Sequence, residues 1–145
     1  MPLLEQSGLY YPNRFARWFF LATEDVMGKH GLSAVLNQAG LESYMDHLPP
    51  DNLQRQFDFA NLAALNQAFE DMYGARGGRG MALRIGRSSF AHGMQGFGAF
   101  AGMHAPAYRS LPLEQQVDIG VKALSMIFSR FSDQNTRLED NADTY

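Results

Sequence analysis

The scarcity of β-branched residues constrains this chain most. It has four Val, three Ile and three Thr among 145 residues. These are the side chains that fill pleated, half-buried strands, and a chain so poor in them has little strand material. The apolar content comes instead from 11 Phe, 8 Met, 6 Tyr and many Leu and Ala. The expected fold class is therefore mainly α, in one domain spanning residues 1–145.

Periodicity supports this. Phe15, Trp18, Phe19, Ala22 and Val26 fall on one helical face after Pro12-Asn13, where Asn can cap and Pro cannot extend a helix backward. Gly28 and Gly31 are expected to stop that helix, and Leu32 to Ala39 to form a second one ending at Gly40. A short helical turn is expected over Glu42 to His47, before Pro49-Pro50. Leu62, Leu65, Phe69, Met72 and Tyr73 form the clearest amphipathic stripe, with Gly74 as its terminator. The run Gly74-Ala75-Arg76-Gly77-Gly78-Arg79-Gly80 reads as a flexible basic loop. A long helical pattern follows from Met81 toward Met103, and a last one after Ser110-Leu111-Pro112 carries Val117, Val121, Leu124, Ile127, Phe128 and Phe131. No internal repeat is expected.

Several function classes fall away. With Cys 0 there is no disulfide, thiolate zinc site or cysteine nucleophile within the chain. A net charge of −3 gives no general attraction to nucleic acid, so no nucleic-acid partner is expected. The longest apolar run, Trp18 to Ala22, is far short of the roughly 20 residues that span a bilayer. A cytoplasmic location is the expectation. His30, His47, His92 and His104 have no helical pair spacing, so no metal site is expected. Gly78-Arg79-Gly80 lacks the third glycine and the preceding strand of a dinucleotide loop.

Two features point to binding. Gly86, Gly93, Gly96 and Gly98 interrupt one helical pattern at about 1 kcal/mol each relative to Ala. Close helix packing would offset that cost, and so would a ligand lying against bare backbone between Phe90, Met94 and Phe97. Arg76, Arg79, Arg84 and Arg87 form a basic cluster beside them. It reads either as a solvated face, paired with Glu70 and Asp71, or as a mouth for an oxyanion.

Tyr10-Tyr11-Pro12-Asn13-Arg14-Phe15-Ala16-Arg17 and Gly28-Lys29-His30-Gly31-Leu32-Ser33-Ala34-Val35-Leu36-Asn37-Gln38-Ala39-Gly40-Leu41 resemble bacterial 4-vinyl reductase domain proteins, also called predicted hydrocarbon-binding proteins. The second stretch is also similar to the start of haem nitric-oxide sensor domains, in a superfamily shared with Golgi-transport subunits. The haem sensors' Tyr-x-Ser-x-Arg signature is absent, and no haem ligand is carried over. The resemblance implies binding of a hydrocarbon, acyl chain or tetrapyrrole precursor, linked to bacteriochlorophyll biosynthesis. The alternatives are a vinyl reductase acting on a tetrapyrrole and a helical homodimerisation module. It also implies a C-terminal sheet carrying cysteines. This chain ends at Tyr145 without Cys, so the expected fold is the helical layer of that α/β ligand-binding fold, its sheet absent or truncated. Trp18, Phe90, Met94, Phe97 and Phe128 are expected to line the pocket, with Arg84 and Arg87 holding an acidic end. No cofactor is named. Uncovered apolar faces lead to the expectation of a homo-oligomer.

Overall fold

The computed structural model describes residues 5–96 and 102–139, apart from the side chains of Gly96 and His104. The chain is mainly helical, with a small two-stranded sheet. Strand β1 (Tyr10–Pro12) leads into helix α1 (Asn13–Ala39). A 3₁₀ turn (Glu42–Tyr44) and a loop follow, then strand β2 (Arg55–Asp58) leads into helix α2 (Phe59–Gly96). A second 3₁₀ turn (Gly102–His104), the short helix α3 (Pro106–Arg109) and helix α4 (Leu113–Phe131) complete the described chain.

Both long helices are broken by one glycine. Gly28 has φ 76° and ψ 173°, and Gly74 has φ 76° and ψ 168°. That combination is essentially closed to residues with a Cβ. Gly28 was expected to end a helix, and it does end the regular run from Asn13. Helical structure resumes at once, so Gly31 lies inside the following segment rather than at a terminus. The expected basic loop from Gly74 to Gly80 is likewise replaced by helix after Gly74. Gly78 serves packing: a Cβ there would stand 2.8 Å from the Glu70 backbone, so only Gly lets the new helix leave so close to the old one.

The two breaks expose a repeat that the sequence reading missed. Ala22-Thr23-Glu24-Asp25-Val26-Met27-Gly28 and Ala68-Phe69-Glu70-Asp71-Met72-Tyr73-Gly74 occupy the same place before each kink. Gly31 and Gly77 follow at equal spacing. Tyr11 and Phe57 occupy equal places before each kink and pair directly across the antiparallel ladder, so a local two-fold axis passes between them. The ends cross-connect accordingly: the Asn13 N–H donates to the Gln54 carbonyl at 2.9 Å, and the Phe59 N–H donates to the Leu9 carbonyl at 2.9 Å. Each unit is a short strand, a helix, a glycine break and a second helix.

The main core lies between the two units, around Phe20, Val35, Leu36, Phe57, Leu65, Phe69 and Ile85. Phe20, Tyr44 and Phe57 form a three-ring cluster with centroids 5.3–5.8 Å apart. Burial pushes the Tyr44 phenol above its ordinary pKa.

Asp58 starts the second unit. Its carboxylate is buried and accepts hydrogen bonds from the N–H groups of Ser7, Gly8 and Ala60 and from the Ser7 hydroxyl, at 2.7–3.0 Å. The bond from Ala60 is a helix N-cap. Burial alone would raise its pKa, but those four donors outweigh it and hold the carboxyl below its ordinary value.

Candidate functional site

Helix α2 continues past Gly86, whereas α1 stops at the equivalent Gly40, which has φ 75° and caps the helix. The extra turns carry Ser89, Phe90 and Gly93 along the aromatic face of α1, formed by Phe15, Trp18 and Phe19. Leu124, Ile127 and Phe128 of α4 close the third side. Together they line a half-open cavity of about 350 Å³, within the roughly 300–1,000 Å³ usual for small-molecule sites.

Helix α4 is held in place by the segment that follows it. The Asp133 N–H donates to the Tyr10 carbonyl at 3.0 Å, and the Tyr10 N–H donates to the Asp133 carboxylate at 2.8 Å. Arg55 pairs with the same carboxylate at 2.9 Å and donates to the Arg130 carbonyl at 2.6 Å. The free edge of β1 is thus covered, and Phe128 meets Phe15 edge-on at 5.7 Å. Phe15 in turn stacks on Trp18 at 5.1 Å.

No charged side chain lines the cavity among the described residues. Two polar side chains there are partnered: the Tyr11 hydroxyl donates to Gln134 Oε1 at 3.2 Å, and Gln134 Nε2 donates to Thr136. Burial raises the Tyr11 pKa, in keeping with apolar surroundings. The third, Ser89, has a buried hydroxyl with no hydrogen-bond partner among the described residues. A hydroxyl on a helix can bond back to the preceding turn, and this one does not.

Beside the cavity runs an open groove lined by Arg79, Ala82, Leu83 and Arg87. Gly86 and Phe90 belong to both. Also between α2 and α1, His92 Nε2 lies 2.6 Å from Asp25 Oδ2, and Ser88 Oγ lies 3.3 Å from the same oxygen. Ser88 and His92 do not line the cavity.

Of the residues singled out by sequence, Trp18, Phe90 and Phe128 line the cavity. Met94 packs instead with Met103 and Ile127. Phe97 lies outside the described residues. Arg84 is exposed and lines neither the cavity nor the groove, while Arg87 lines the groove. The pairing suggested for the arginine cluster with Glu70 and Asp71 is not formed among the described residues: neither makes an ion pair, and the Asp71 carboxylate takes Gln38 and Gln67. Sequence reasoning missed Tyr11 and Ser89, the latter because an isolated Ser carries no pattern. It placed Arg79 in the basic cluster but gave the acidic end to Arg84 and Arg87.

Comparison with protein-family models, curated proteins and solved structures gave no match. No described helix is long and apolar enough to cross a membrane.

Proposed function

We propose that this chain binds a hydrophobic small molecule in the cavity between α1, α2 and α4. The class includes hydrocarbons, acyl chains and the tetrapyrrole precursors that the family resemblance implies. The observation that carries the reading is the aromatic and aliphatic lining, which carries no charged group among the described residues and is flanked by three helices. Such a volume is apolar enough to stay poorly hydrated, and an apolar guest recovers the contacts its walls lack.

The test uses an environment-sensitive apolar dye and the molecules that copurify from the native host. Saturable dye binding that the extracted molecule displaces, with mass and absorbance identifying that molecule, is the expected result. A protein that carries nothing and takes up no dye contradicts the reading. Steady reduction of a tetrapyrrole vinyl group with added reduced nicotinamide would replace binding by catalysis. A homo-oligomer belongs to the same proposal, because α4 leaves Leu113, Val117 and Val121 exposed. A stable monomer in sedimentation at micromolar concentration contradicts that part.

A further inference from the structure

We infer that the ligand is an amphiphile with a carboxylate head and one apolar tail, the tail in the cavity and the head on Arg79 and Arg87. This rests on the binding reading above and adds what the ligand must carry. An ionised head cannot go inside, because no lining residue among those described bears a compensating charge. It can go to the adjoining groove. Gly86 and Phe90 are shared by the two spaces, so a chain leaving the cavity there enters between Arg79 and Arg87. Leu83 and Ala82 supply an apolar floor for the first carbons of the tail.

Both arginines are available. Neither makes an ion pair among the described residues, whose ion pairs are Arg14–Asp51, Arg55–Asp133, His92–Asp25, Lys122–Asp118 and Arg137–Glu139. Asp71 takes two glutamine amides, Asp25 takes His92 and Ser88, and Glu70, whose backbone adjoins Gly78, makes no ion pair among the described residues. Guanidinium groups match a carboxylate with paired N–H donors. The space beside Gly86 is open, since a Cβ there would meet nothing within 4 Å. The sequence placed the acidic end on Arg84 and Arg87, and the groove moves the first of these to Arg79.

The test compares dodecanoate with 1-dodecanol, probes of one tail and two heads, through the fluorescence of Trp18, the one Trp of the chain and a cavity wall. Dodecanoate is expected to bind about tenfold tighter at low salt, the worth of one charge-assisted contact. Replacing both arginines (Arg79→Ala with Arg87→Ala) should erase that preference, so that the two probes bind alike. Gly86→Leu should block both probes, with a thermal melt verifying that the variant is folded. Equal binding of the two probes, or a preference that survives the double replacement, overturns the head assignment and leaves the cavity reading standing. If neither probe alters the fluorescence, both readings fall.

Discussion

The two halves of the duplicated unit begin alike and end differently. In the first, the helix after the glycine break closes at Gly40, and the chain folds back so that Tyr44 packs its ring against Phe20 and Phe57. In the second, the equivalent Gly86 sits in mid-helix and the helix runs on to Gly96. The first unit is finished by its own Tyr44, packed on Phe20 and on Phe57 of the second unit. The second is roofed by α4 and keeps a cavity beneath. A repeat built for packing thus becomes a container when one copy extends its last helix. The capping differs too: Pro12 precedes α1 with no side-chain cap, whereas Asp58 precedes α2 with four hydrogen bonds.

The capping contrast gives the largest expected effect. Asp58→Ala should cost about 3 kcal/mol, since it removes a charged cap and leaves buried N–H groups unpaired. Pro12→Ala at the equivalent position has no side-chain bond to lose and, because Pro12 is buried, should cost about 1–2 kcal/mol through lost packing alone. Urea unfolding of both variants checks the difference, and equal losses would break the contrast. Asp58 also sets an acid limit. Its pKa is lower folded than unfolded, so its contribution is full at pH values above the ordinary value of 3.8. It is lost as pH falls through the folded value, because the unfolded state takes the proton first. In Asp58→Asn the stability profile should flatten on that acid side.

The breaks themselves should behave alike. Gly28→Ala and Gly74→Ala each force a Cβ into a conformation reserved for glycine, at about 2 kcal/mol. Thermal melts showing a large inequality would mean the two kinks are not equivalent parts of one repeat.

The sharpest contrast is between two glycines at one repeat position. Gly40→Ala should destabilise by about 1 kcal/mol, because Gly40 caps its helix with φ 75°. Gly86→Ala should stabilise by about 0.5–1 kcal/mol, since Gly86 is helical and open to a Cβ. Opposite signs in paired melts support the account of how the halves diverge.

The smallest effect concerns the cavity wall. Ser89→Ala should leave the ligand-free protein as stable or about 0.5 kcal/mol more stable, because it removes a buried hydroxyl that has no partner among the described residues. A clear loss of stability would show that Ser89 has a structural partner in solution.

Helix content was legible because it rests on local signals: missing β-branched residues, the stripe from Leu62 to Tyr73, and the proline and glycine punctuation. The two small strands were not legible. Tyr10–Pro12 and Arg55–Asp58 are too short for a period-2 pattern, and each exists only through pairing with the other. The helix after Gly74 was hidden for a related reason. Gly77, Gly78 and Gly80 oppose helix locally, and what favours helix there is tertiary, the close approach of Gly78 to the Glu70 backbone. At the site, the aromatic walls Trp18, Phe90 and Phe128 showed through their helical spacing. Tyr11 and Gln134 did not, because residues so distant in sequence meet only after the α4 segment docks on β1. The repeat was masked by divergence outside Ala-x-Glu-Asp-x-x-Gly, and the antiparallel partnering of Tyr11 with Phe57 made it visible.

The most direct test of the central claim is quenching of Trp18 by 12-bromododecanoate, because bromine quenches an indole only at close range. Trp18 is the one Trp and lines the cavity, so its emission reads this site alone. The account predicts saturable quenching that unbrominated dodecanoate reverses and Gly86→Leu abolishes. Weak quenching that rises linearly with concentration and is indifferent to the competitor would contradict it.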